Sequence, residues 1–156
     1  PAPPAPPGPP PVTELDAQLA RRKLATITGN LDLLAAVEGL SLADYRADPF
    51  RRKGTERLLQ EIVEAAVDVN LHLLRAAAGA PAPPDYYQSF IDLGRHSIVP
   101  AALAEGLAPA AGLRNRLVHE YDAVNDAIVL DAVRQARRDF AAYVAAIERY
   151  LTARGH

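Results

Sequence analysis

The 156-residue sequence contains no cysteine, no methionine and no tryptophan. Without cysteine there is no disulfide, no thiol nucleophile and no thiolate metal site, and a cytoplasmic setting is the expectation. Without methionine, the start is expected to have been processed or trimmed. Long hydrophobic runs are missing too. None approaches the roughly 20 residues that span a bilayer, and the N-terminus has neither the basic start nor the apolar stretch of a signal peptide. An excess of charge of one sign is also lacking, with 17 basic and 19 acidic residues giving a net charge of −2. Such a balance does not advertise nucleic-acid binding, so any contact with RNA must use local patches. Glycine-rich phosphate loops and strand patterns are absent. What remains is 49% hydrophobic, a composition and length that suit one globular domain with a core of ordinary size.

Prolines are concentrated at one end. Eight of the fourteen lie in residues 1–11, which reads as an extended or disordered tail rather than helix or sheet. Residues 12–156 form the domain. Thr13 reads as an N-cap with acids in the first turn, and the first helix runs to about Val37. Ser41 caps a short turn, and Asp48-Pro49 supplies cap and first position of a long helix to about Ala78. Gly79 marks its end. Within its apolar stripe Asn70 requires a buried partner, while Asp68 and His72 stand four apart, with Asp68 the neighbour expected to hold the ring. Asp85 caps a short helix starting at Tyr86, whose ring reads as packing. Pro100 opens a further helix, which Pro109 should kink or break. A last helix begins at Asn125 or Asp126 and carries a heptad-like seam. The pattern predicts an all-α fold, an antiparallel bundle of four main helices plus short ones. His96 is given no role.

One stretch differs from the rest: Gly112-Leu113-Arg114-Asn115-Arg116-Leu117-Val118-His119-Glu120-Tyr121. Leu103, Leu107, Ala110, Leu113, Leu117 and Tyr121 recur at helical spacing and mark a buried stripe. Asn115 and His119 share one face, as do Arg116 and Glu120. Arg114 lies about 140° round the helix from His119. A helix ending near His119 would relax this geometry and place the ring at an exposed tip. Three basic clusters accompany the stretch. Arg21-Arg22-Lys23 and Arg51-Arg52-Lys53 read as solvated faces. Arg134, Arg137 and Arg138, off the seam of the last helix, are candidate phosphate contacts, as is Arg116. No His-x3-His or Glu-x-x-His pair suggests a metal site, and no cofactor is expected.

The segment Arg114-x4-His119-x-Tyr121 resembles the signature of the HEPN superfamily, and in particular of its HepT-like toxins. The similarity extends through RNRLVHEYDAVNDAIV and, by helix order, over residues 13 to 151. It implies a homodimer in which two motifs face one shared cleft. It implies a toxin that is an endoribonuclease, with Arg114, Asn115 and His119 as its catalytic residues, and a partner that is a minimal nucleotidyltransferase antitoxin attaching AMP to Tyr121. Members also tend to carry a histidine near His72, which makes that residue a minor candidate.

The residue types suit that chemistry. Imidazole transfers protons near neutral pH, and the arginine fork grips phosphate through two parallel bonds. Asn115 can orient either group. Attack by a ribose 2′-OH needs no metal and selects RNA over DNA. Two other readings stay open on spacing alone: a surface Arg–His pair ending a helix, and a non-catalytic helical module that binds a nucleotidyltransferase partner or a nucleotide.

Overall fold

The computed structural model describes residues 1–6, 14–119 and 124–156. Its described residues form seven helices and no strand: α1 Ala17–Glu38, α2 Leu42–Ala47, α3 Pro49–Ala76, α4 Tyr86–Arg95, α5 Ala101–Leu107, α6 Pro109–His119 and α7 Asp126–Ala153. No helix among them is long and apolar enough to cross a membrane.

The starts of these helices are local decisions. Ser41 accepts from the Asp44 N–H, Asp48 from those of Phe50 and Arg51, Asp85 from that of Gln88 and Asn125 from that of Ala127. Each satisfies donors that the first helical turn leaves without a partner. The first helix departs from expectation. Thr13 lies outside the described residues, and the cap is Asp16, whose carboxylate accepts from the Leu19 N–H at 2.9 Å. Asp16, like Thr13, carries an acceptor on a short side chain, here a carboxylate instead of a hydroxyl, and sits at the first turn of the apolar stripe. Pro109 breaks its helix as expected. The single anticipated element becomes α5 and α6, separated by Ala108, because proline offers no N–H to continue the ladder.

Pairings between helices fix direction. Lys23 meets Asp68 and Asn30 meets Glu61, so α1 and α3 run antiparallel. Arg21 meets Glu148 and Glu38 meets Arg137, so α1 and α7 do the same. Gly94 lets α4 lie close on α5: a Cβ there would stand 2.8 Å from the Ala104 Cβ. The core holds an edge-to-face cluster of Phe90, Phe140 and Tyr143, with centroids 5.9 to 6.3 Å apart, a favoured aromatic geometry.

Asn70 finds the buried partners it requires. The Tyr143 hydroxyl donates to its Oδ1 at 2.6 Å and lies 3.1 Å from the Ala66 carbonyl. Its Nδ2 donates to Ser89 Oγ at 3.1 Å, and that hydroxyl donates to the Tyr86 carbonyl at 2.7 Å. One polar thread thus ties α7 to α3 and to the start of α4. Burial drives the Tyr143 hydroxyl well above its ordinary pKa, so it remains a donor.

His72 has a different partner from the one its spacing suggested. Asp68 pairs with Lys23 Nζ at 2.9 Å. The His72 Nε2 instead accepts the Asp16 backbone N–H at 2.8 Å, across the α1–α3 contact. This bond needs a neutral ring, and burial lowers the His72 pKa, against the opposing pull of the Asp16 carboxylate. A ring held neutral in the folded state lets the unfolded chain take up its proton first. The stabilisation is therefore complete above the ordinary histidine pKa of about 6.5 and declines as pH falls below it. A lower urea midpoint at pH 5.5 than at pH 7.5 is expected, with the difference reduced in His72→Gln. An unchanged difference in that variant would place the dependence elsewhere.

Candidate functional site

The distinctive stretch falls on α6. The inward stripe runs over both α5 and α6: Leu107 on α5 and Ala111 on α6 are buried, and Leu103 of α5 and Ala110, Leu113 and Leu117 of α6 pack against the core. Tyr121 and Glu120 lie outside the described residues, so the stripe's last position and the Arg116–Glu120 pair are not placed. His119, the last described residue of α6, is exposed.

Arg114 is set firmly. Its Nε and Nη2 donate to Glu64 Oε1 at 3.3 and 3.0 Å, and its Nη1 donates to Asn115 Oδ1 at 3.3 Å. Its guanidinium carbon stands 4.9 Å from the centroid of the Tyr86 ring, a cation–π distance. The side chain is 16% exposed. A guanidinium has five N–H groups; among the described residues these contacts use three, and one N–H on each Nη takes no part in them. The fork is braced from behind by α3 and α4 while part of its donor set stays available for an oxyanion. Tyr86 belongs to the α4 turn that Ser89 ties to Asn70, so the buried thread supports the platform under Arg114.

Arg114 and Asn115 are brought into contact. Asn115 and His119, both exposed, lie one turn apart on the same face. Arg114 and His119 are not brought together directly: α6 is continuous between them, which separates them by roughly 7 Å along the axis and 140° around it. Within one chain Asn115 stands between them, bonded to Arg114 and one turn before His119 on the same face.

Glu64 and Tyr86 escape sequence reasoning as site residues. Tyr86 reads only as packing, and Glu64 lies 50 positions before its partner. The signal for Glu64 is an acid inside the apolar run Ile62–Val67, where a charge needs a counter-charge.

Of the basic residues on the last helix, Arg134 and Arg137 are drawn to the C-terminal end of α1. Arg134 donates to the carbonyls of Glu38 and Leu40 at 3.0 and 3.2 Å, and Arg137 pairs with the Glu38 carboxylate. These bonds satisfy carbonyls that a helix end leaves open and complement its negative pole. A phosphate role for either would have to use the guanidinium N–H groups that these bonds leave over. Arg138 is exposed, and Arg116 lines the groove that also holds Arg114. His72 sits away from this groove, in the hollow formed with Lys23, Asp68 and Pro81. Among the described residues no three His, Cys, Asp or Glu side chains cluster as metal ligands do.

Comparison with known proteins agrees on one family. The family model Ribonuclease HepT-like matches residues 27–147. The chain is 37% identical over 140 residues to a tRNA nuclease HepT of Aphanizomenon flos-aquae, covering 90% of this chain and 95% of that protein. It is 30% identical over 126 residues to an mRNA nuclease HepT of Shewanella oneidensis, covering 81% and 93%. A solved structure of a tri-AMPylated Shewanella oneidensis HEPN toxin in complex with MNT antitoxin shares the fold with a TM-score of 0.77 at 25% identity, covering 86% of this chain and 99% of that one.

Proposed function

The chain belongs to the ribonuclease HepT-like family, and on that premise we propose that it is the toxin of a toxin–antitoxin pair, a cytoplasmic, metal-independent endoribonuclease that works as a homodimer. The observation that carries this reading is the arrangement on α6: a braced guanidinium with two donors remaining, an amide bonded to it, and an exposed imidazole one turn further.

The groups divide the work as follows. One His119 imidazole removes the proton from a ribose 2′-OH. The 2′-oxygen attacks phosphorus, the bond to the 5′-oxygen breaks, and a 2′,3′-cyclic phosphate is left. A protonated His119 of the second protomer gives its proton to the departing 5′-oxygen. Positioned proton transfer of this kind contributes typically about 10²–10⁴-fold. The two remaining Arg114 donors hold the non-bridging oxygens where negative charge grows, and Asn115 keeps guanidinium and substrate aligned. Purified protein should cut RNA in the presence of EDTA and leave the same strand intact when the ribose at the cleavage point is 2′-deoxy. Cleavage of the deoxy strand, or none without added metal, would defeat the mechanism; RNA left whole with every metal tried would favour a binding module instead.

Tyr121 is the proposed point of control. A nucleotidyltransferase partner transfers AMP from ATP to its hydroxyl, releasing pyrophosphate, and the added phosphates compete for the same arginine. The Shewanella relative is tri-AMPylated in its complex, which supports this reading. Incubation with the partner enzyme and ATP should raise the intact mass by whole AMP units and silence cleavage. Tyr121→Phe should gain no mass, whereas Tyr87→Phe, at an exposed tyrosine of α4, should gain it normally. AMP on the Tyr121→Phe protein would move the site elsewhere.

A further inference from the structure

Beside Arg114 lies a groove of about 450 Å³, within the size range of small-ligand sites. Its floor is apolar, formed by Leu59, Ile62 and Val63 of α3. Its two walls differ in chemistry. The α6 wall presents Arg114 and Arg116, and the α7 wall presents Asp131 and Gln135. These last two are four residues apart and therefore stack on one face of α7. Ile128, one turn earlier on that face, is a large apolar side chain left 43% exposed.

This combination matches a nucleotide. Phosphate belongs with the arginines, and a flat base belongs on the apolar floor with its edge toward Asp131 and Gln135. The edge chemistry selects among bases. A carboxylate accepts two parallel N–H bonds. On its pairing edge guanine offers N1–H and N2–H side by side, next to the O6 acceptor. Asp131 takes the two donors and the Gln135 amide donates to O6. Adenine and cytosine would turn a ring-nitrogen lone pair toward the carboxylate, and uracil offers one N–H between two carbonyls. Asp131 does pair with Arg134 at 3.6 Å, but its carboxylate is 81% exposed, so water screens that contact, and Arg134 has its own bonds to α1 carbonyls.

We propose that the α6–α7 groove is a guanine subsite, taking the guanosine next to the phosphate that Arg114 holds. The assignment rests on the nuclease reading for its purpose but not for its test. Titration of isotope-labelled protein with 5′-GMP should shift the amide signals of Ala132 and Gln135, with affinity at least tenfold above that of AMP, CMP or UMP. Asp131→Asn, at an exposed position, should reduce GMP affinity about tenfold or more and leave AMP where it was. Equal binding of the four nucleotides, no shift on α7, or GMP affinity unchanged in Asp131→Asn overturns the subsite. So does a second protein chain that seals the groove and keeps nucleotides out. Guanine-selective binding by a protein that cuts no RNA would uphold the subsite and remove the nuclease reading. RNA cleavage indifferent to the neighbouring base, with no selective binding, would do the reverse.

Discussion

His119→Ala should lose RNA cleavage by at least about a hundredfold, and by up to about ten-thousandfold for each proton transfer it serves. The ring is exposed at the end of α6, so its removal leaves no cavity and no buried group without a partner. The change in folding stability should stay within about 0.5 kcal/mol. Single-turnover cleavage and a thermal melt on the same sample check both halves. A mixed dimer sharpens the result. If one protomer supplies the base and the other the acid, a dimer with one intact His119 keeps half of the proton relay and should still be severely impaired. A mixed dimer at half the wild-type rate would show that each protomer acts alone. Cleavage retained in the pure variant would end the assignment of this residue, and a variant that melts early would show that the ring holds structure.

Asn70→Ala should have the opposite profile, with its main effect on stability. Asn70 is fully buried and joins Tyr143 on one side to Ser89 on the other. Its removal takes an acceptor from a buried phenol and a donor from a buried hydroxyl. The phenol can still donate to the Ala66 carbonyl and Ser89 to that of Tyr86, so the cost is two lost hydrogen bonds plus the cavity of the removed amide, together about 2–4 kcal/mol. For a chain of this length that lowers the melting temperature on the order of 10 °C. Tyr143→Phe strikes the same thread, and the double variant should lose less than the two single losses added. Strict additivity would mean that the two side chains do not act as a unit. Because Ser89 anchors the turn that carries Tyr86, cleavage by Asn70→Ala should also fall at temperatures where the protein is still folded. Full activity there would separate the core thread from the seat of Arg114.

The contrast between these variants parallels a contrast in what the chain discloses. Ser41, Asp48 and Asp85 cap helices where the sequence places them, and Asn125 is one of the two caps it offers for the last, because a capping side chain reaches only two or three residues along its own backbone. The apolar side of α6 and the break at Pro109 are legible for the same reason. Asp16 in place of Thr13 is a near miss between two short acceptors at the entrance to one stripe. The partners of Arg114 are of another kind. Glu64 and Tyr86 approach it from α3 and α4, and no local spacing encodes which helix faces which. His72 shows the same limit, since Asp68 is its neighbour in sequence but Asp16 is its neighbour in space. Arg134 and Arg137, grouped by sequence as candidate phosphate contacts, also have partners at the end of α1 that no local spacing shows, the Glu38 and Leu40 carbonyls and the Glu38 carboxylate.

By itself the sequence determined the all-helical character, most of the helix starts, the buried stripes and the chemically unusual segment with its family, since each follows from contacts within about a turn of the backbone or from residue types in fixed order. Tertiary structure alone decided what braces the guanidinium, which histidine is held neutral against a helix entrance, and which wall of the groove is basic and which acidic. Those outcomes depend on how rigid helices pack against one another, and side chains many positions apart become neighbours only when that packing is complete.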